Sequence, residues 1–336
     1  MSLERGMQAL NLQMPDVIPH QQYIHHLDYA EMLTGERNLD LIPKKLDYDF
    51  LWVTAVPETP KPGRWTDMGQ AYWTEDQKEE NSRHEAFASI DEAFELDVAE
   101  TYGVWDLDEL TKKYTEDALA NTKDHFCVYP GGTYRTQMSF AIAAFGWDML
   151  LMMAGLDVKR FTEILHDWLE TLKVHYQALA ASPYDCILTH DDIVWTAGAF
   201  MHPDWYRKEL IPGFKEIWDI VHAAGKKVIF CSDANYQQFV PDIAEAGADG
   251  FVFDPMVDME YMVKEFGKTH VLMGGVDCRI MTFGTEEETR AAVREALDLG
   301  RDCPGYFFSV SNQIPENIPI QNVVACMDEY FKLRDR

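Results

Sequence analysis

Lys226-Lys227-Val228-Ile229-Phe230-Cys231-Ser232-Asp233-Ala234-Asn235 decides the reading of the fold. Val228 to Phe230 is a short apolar run of the kind that forms a buried strand. Gly225 before it is a helix stop, and a new helix is expected from Tyr236 to Ala246. The polar side chains Cys231, Ser232, Asp233 and Asn235 all fall where the strand ends. In parallel α/β folds that end carries the chemistry. A thiol and a carboxylate two residues apart point to a metal or catalytic site. The plainer alternative is an inert buried cysteine beside a helix-capping aspartate.

The same unit repeats outward from this stretch. Apolar strand-like runs centre near residues 18, 51, 127, 187, 229, 252, 272 and 307, and in the second half they alternate with helices. The predicted helices include residues 140–153, 161–179, 204–224, 259–266, 286–299 and 318–333. Pro130-Gly131-Gly132 reads as a turn after a strand at residues 126–129. Eight such units predict one (β/α)8 barrel domain spanning residues 1–336. It carries a loose N-terminal extension of about fifteen residues and a helical insertion after the second strand. No GxGxxG or P-loop follows any strand, which disfavours a nucleotide-binding open sheet.

Composition narrows the function. The chain has 29 basic against 57 acidic residues, a net charge of −28. That disfavours nucleic acid, anionic membranes and polyanionic substrates. The six cysteines are scattered without a CxxC, as in reduced cytoplasmic proteins. No signal sequence is expected in residues 1–16, and no apolar run of membrane-spanning length is expected.

The predicted strand ends share one chemistry. They carry Thr54, Tyr129, His190-Asp191-Asp192, Cys231 and Asp233, Asp254, Asp277 and Cys278, and Asn312, with almost no basic residue. Adjacent carboxylates at a buried strand end point to acid/base work, because like charges in close proximity raise a pKa. Thiol, imidazole and carboxylate together suit zinc, although their spacing matches no strong zinc signature. Trp65 and Trp73, in a Pro- and Gly-rich loop at residues 57–73, join Trp52, Tyr129 and Trp195 as candidate walls for an aromatic ligand.

Several motifs recur in an order seen elsewhere: His190-Asp191-Asp192, Pro203-Asp204-Trp205-Tyr206, Gly225-Lys226-Lys227-Val228, Gly274-Gly275-Val276-Asp277, Phe283-Gly284-Thr285-Glu286 and Ile314-Pro315-Glu316-Asn317. In this order the chain resembles the uroporphyrinogen decarboxylase superfamily. The resemblance implies a (β/α)8 barrel and two functional branches. One is a metal-free decarboxylase. The other comprises zinc-dependent methyltransferases that work with corrinoid proteins.

The decarboxylase branch carries arginine at its first strand, and residues 18–27 here contain no Arg or Lys. The methyltransferase branch implies Cys231 and Asp233 as zinc ligands, with Asn312 near the position of the branch's last ligand. The expectation is therefore a methyl transfer from a small methylated compound, such as an aromatic methyl ether, to a corrinoid protein. His190, Asp191, Asp192 and Asn312 would be catalytic. Tyr129, Trp65, Trp73, Trp195 and Asp277 would bind substrate. A decarboxylase and a non-catalytic binding protein are the alternatives.

Overall fold

The computed structural model describes residues 2–53, 59–66 and 86–336, together with residues 71–73 and 79–81 as backbone. The regular alternation of the second half forms a single sheet. Strands β1 (Pro130–Thr133), β2 (Cys186–His190), β3 (Val228–Ser232), β4 (Gly250–Phe253), β5 (Val271–Val276) and β6 (Tyr306–Val310) lie in that order, every pair parallel. Their residues are almost all buried, as strands covered on both faces must be.

Helices occupy the crossovers between these strands: Gln137–Leu156 and Val158–Ala181, then Ile211–Ala223, Val240–Ala246, Met259–Phe266 and Glu286–Gly300. Ile320–Leu333 follows the last strand. Local chemistry starts them where it should. Asp157 accepts from the Arg160 amide, and Thr285 with Glu288 forms a capping box.

The two runs expected as strands near residues 18 and 51 are reduced to isolated bridges. His20 bridges Phe308, and Phe50 bridges Val128, both in parallel. The Phe308 amide donates to Pro19 O (2.8 Å), the Asp49 amide to His20 O (3.0 Å) and the Leu51 amide to Val128 O (2.9 Å). A longer ladder fails for two reasons. Pro19 has no N–H, and the His20 amide donates to the Asp49 carboxylate at 3.0 Å instead of to a carbonyl. Thr54, the expected end of the second run, lies outside the described residues.

Two further expectations are corrected. The N-terminal stretch is not loose: Ser2–Leu10 is a helix. Leu3, Met7 and Leu10 recur at helical spacing. They pack with Phe50, Val128, Leu188, Ile229, Met273 and Phe307 in a second core cluster on the face of the sheet away from the helices. Arg5 anchors this helix through Asp49 (2.9 Å) and Asp47 (2.7 Å). Pro130-Gly131-Gly132 is likewise strand, not turn. A Cβ on Gly131 would sit 2.5 Å from the Tyr184 ring, and one on Gly132 would sit 2.6 Å from Leu188 O. Glycine here permits close packing of strands rather than a bend.

The helical insertion is present as Ile90–Phe94, Val98–Tyr102 and Leu107–Asn121. Leu107–Asn121 docks on Val158–Ala181, where Tyr114 Oη lies 2.6 Å from His175 Nδ1 and the Trp105 ring packs edge-on to His175. Contrary to expectation, Gln137–Leu156 is long and apolar enough to cross a membrane. Half of its apolar window is buried in this fold, packed against Val158–Ala181 and Ile90–Phe94, and the helix kinks at Gly146 (φ 70°).

Two outcomes follow from this packing. Gly132→Ala should destabilise the protein by about 1–3 kcal/mol in urea unfolding, because the new methyl meets backbone that cannot yield; an unchanged midpoint would contradict the close approach. Burial holds the His175 pKa down at about 3, below its ordinary 6.5. The unfolded chain then binds a proton there that the folded chain refuses, so this group's contribution is present above pH 6.5 and is lost as pH falls toward 3. Relative to His175→Gln, the wild type should lose stability across that window; parallel pH profiles would contradict this.

Candidate functional site

The cavity of interest opens where the parallel strands end. Register places His190 beside Cys231, and Cys231 beside Val252. Each chain then leaves its strand with a carboxylate: Asp192 after β2, Asp233 after β3 and Asp254 after β4. Asp233 and Asp254, with His190, Gln21, Tyr23, Trp52, Tyr134, Ser309 and Asn312, line a cavity of ≈ 280 Å³, and Asp192 contacts it through His190 and Tyr134.

Three side chains meet at its base. One imidazole nitrogen of His190, the Cys231 thiol and a carboxylate oxygen of Asp233 lie within 4.8 Å of one another. His190 Nε2 is 3.2 Å from Asp192 Oδ1, and Tyr134 Oη donates to Asp192 Oδ2 at 2.7 Å. Asn312 Nδ2 donates to Asp233 Oδ2 at 3.4 Å. Among the described residues, buried His190 Nδ1 has no hydrogen-bond partner. A carboxylate orienting one ring nitrogen while the other stays free is the arrangement that presents histidine to a metal. Imidazole, thiolate and carboxylate are the donors zinc accepts. The residues present therefore fit a metal ion.

Electrostatics agree with that assignment. Burial, and then the nearby charge of Asp192, pushes Asp233 up to about 7. Burial would raise Asp192 too, but its bonds to His190 and Tyr134 hold it below the ordinary carboxylate range. Burial opposes the His190 cation, yet the Asp192 hydrogen bond and the charges of Asp192, Asp233 and Asp191 raise its pKa. Burial and the neighbouring carboxylates keep Cys231 a neutral thiol. A divalent cation would reverse these preferences by displacing the protons from Cys231, Asp233 and the free histidine nitrogen.

Of the residues expected at the site, His190, Asp192, Cys231, Asp233 and Asn312 are brought together. Others are not. The Asp191 carboxylate turns away from the cavity to accept the amides of Met138 (3.0 Å) and Ser139 (2.6 Å) at the start of Gln137–Leu156. It is fully buried, and burial raises it to about 6 despite those bonds. Tyr129 stacks on Tyr184 ahead of β1, because the strand begins one residue after it instead of ending there. Trp65 packs among Tyr102, Phe140 and Trp168 under the Arg135 guanidinium, between helices. Trp195 is 44% exposed and contacts Trp147 and Phe200. Asp277 caps Cys278–Phe283 and pairs with Arg279 at 2.7 Å. The side chain of Trp73 lies outside the described residues.

Tyr134 and Gln21 were missed. Tyr134 immediately follows β1, so the misplaced end of that strand hid it. Gln21 sits in the first, bridge-only run, where strand periodicity is weakest.

Residues 136–332 match the family model for uroporphyrinogen decarboxylase (URO-D). No curated protein matches the chain. Among solved structures, a methyltransferase from Methanosarcina mazei has TM-score 0.68 at 14% identity, covering 98% of this chain and 98% of that one. That likeness is one of fold. A B12-independent methionine synthase from Shewanella sp. W3-18-1 is more distant, with TM-score 0.46 at 14% identity over 65% of this chain and 67% of that one. The family match spans more than half of the sequence and includes β2 to β6 with every residue of the metal-type cluster, and the chain belongs to the uroporphyrinogen decarboxylase family.

Proposed function

We propose that the protein is a zinc-dependent methyltransferase, a single (β/α)8 barrel that passes a methyl group from a small methylated compound to a corrinoid protein. The observation that carries this reading is the His190–Cys231–Asp233 cluster, whose donors suit zinc, within the segment that the family model matches. Residues 17–22 and 49–53 would be the reduced first and second barrel strands, since their bridges link β6 to the start of β1. His190, Cys231 and Asp233 would hold the zinc ion, which when bound supplies Lewis-acid polarisation of the leaving heteroatom.

The chain's own residues would handle the proton. As the bond from methyl carbon to heteroatom breaks, its electron pair stays on the heteroatom, and the methyl goes to the partner's corrinoid. The heteroatom then takes a proton. With His190 Nδ1 on the metal its ring is neutral, so the proton would come through the Tyr134 Oη–H on the cavity wall, which is hydrogen-bonded to Asp192. Tyr134 keeps Asp192 ionised and oriented. The decarboxylase alternative has weak support: among the described residues no Lys or Arg lines the cavity, and a polycarboxylate would lie against Asp233 and Asp254 uncompensated. With Tyr129, Trp65 and Trp195 outside the cavity, the aromatic walls among the described residues come down to Tyr23, Trp52, Tyr134 and Phe253.

Two measurements test the proposal. Protein produced with zinc should carry about one equivalent by elemental analysis, and Cys231→Ser should weaken zinc binding by about 100-fold or more; a metal-free wild type under zinc supplementation would remove the metal from the mechanism. Supplied with a corrinoid protein in the cobalt(I) state, the enzyme should change the corrinoid spectrum with one of a panel of methoxylated aromatics, methanol and methylamines. Asp192→Asn should lower kcat by about 100-fold with KM nearly unchanged. Coproporphyrinogen formed from uroporphyrinogen would establish the decarboxylase instead, and a bound ligand with neither activity would favour a binding protein.

A further inference from the structure

The cavity offers a ligand unsatisfied hydrogen-bond acceptors, alongside the donors of Tyr23, Trp52 and Gln313 on its wall. Gln21 is 2% exposed, with Nε2 fixed to Ser309 Oγ at 2.7 Å, and its buried Oε1 has no partner among the described residues. Ser309 Oγ in turn donates to Val310 O at 3.1 Å. Tyr134 Oη is held by Asp192, and Asn312 Nδ2 by Asp233. Asp254 receives the Ala234 amide on Oδ2 at 3.0 Å, and among the described residues its other oxygen accepts no hydrogen bond and no cation pairs with it. The unpartnered Gln21 oxygen is independent of the carboxylates, and both kinds of group ask for the same ligand feature, a donor.

Charge points the same way. A dication bound to the Cys231 thiolate and the Asp233 carboxylate would be neutralised by them. Asp192 keeps its charge, but its oxygens are taken up by the His190 Nε2–H and Tyr134 Oη–H. Asp254 is then left without a counter-charge in a confined cavity, which favours a ligand that brings one. The rings of Trp52 and Tyr23, 6.2 Å apart by centroid, also line this space and offer π faces to a cation.

We propose that this cavity selects a methylated ammonium that still carries an N–H or O–H donor, with Asp254 as its counter-ion and Gln21 Oε1 as its hydrogen-bond acceptor. This rests on reading the cavity as the methyl-donor site and narrows the donor to a cation, whose nitrogen has no lone pair for zinc and needs no Lewis acid, because it leaves as the neutral amine with the electron pair of the broken C–N bond. A neutral ether would leave Asp254 unmatched, and a carboxylate ligand would add a second charge of the same sign.

Binding tests it without a corrinoid partner, so failure of this inference and failure of methyl transfer read out separately. The probes share one branched skeleton: protonated 2-(dimethylamino)ethanol, neutral 3-methylbutan-1-ol and anionic 3-methylbutanoate. In calorimetric titration of the zinc-loaded protein, the cation should bind about 10-fold or more tightly than the alcohol, and the anion more weakly still. Asp254→Asn should abolish the preference for cation over alcohol. Gln21→Leu should weaken both hydroxyl-bearing probes by about 5–10-fold and keep the preference. Asp277→Asn, which alters a carboxylate outside the cavity, should leave all three affinities as they are. Equal binding of cation and alcohol by the wild type would overturn the proposal with no variant needed. So would a cation preference that survives in a folded Asp254→Asn protein.

Discussion

The Asp191 amide donates to Cys231 O at 3.0 Å, one residue beyond the end of β2. That bond carries the parallel ladder past the point where the strand's own side chains stop being core. It sets His190 and Asp192 against Cys231 and Asp233, so two separate peptide segments present one cluster. The Asp191 side chain reinforces the bond from the other direction. Its carboxylate holds the first amides of Gln137–Leu156, and Ser139 Oγ of that helix accepts the Asp192 amide at 2.8 Å. Asp191 is thus a positioning residue. It ties a helix start, with its inward-pointing dipole, to the strand end that carries the chemistry.

Four carboxylates in a small buried volume would be prohibitive if all were ionised and unmatched. Each is relieved by a different means. Asp191 has two backbone amides; Asp192 has Tyr134 and His190; Asp233 has Asn312 and a cluster suited to a cation; Asp254 has one amide. The unequal relief explains why Asp192 titrates low while Asp191, Asp233 and Asp254 titrate high. Carboxylates of the same type, separated in this way, can take different roles in one site.

The opposite end of the sheet is closed by apolar packing. Ser2–Leu10 places Ala9 and Leu10 against Phe50, Val128 and Phe307, and the sheet residues Cys186, Leu188, Ile229, Val271 and Met273 fill the space between. Cys231 belongs to this cluster and to the metal-type site at once. The thiol therefore stands on a packed floor, which limits its motion.

Local composition by itself determined the α/β alternation of the second half. It also determined that His190, Asp192, Cys231 and Asp233 leave buried strands together, because short apolar runs, glycine stops and capping residues act within a few positions of one another. It did not determine the first two runs, where Pro19 and the carboxylate of Asp49 compete with ladder bonds. Nor did it place β1: Gly131 and Gly132 read as a turn until Tyr184 and Leu188 are seen pressed against them. That misplacement put Tyr129 in the cavity and left Tyr134 out. Only tertiary structure separated Asp191 from Asp192, since adjacent residues at a strand end point to opposite sides and long-range partners decide which side is the cavity. It alone also sent Trp65 and Trp195 to other packing and left Gln21 Oε1 without a partner, because those outcomes depend on which distant side chains arrive.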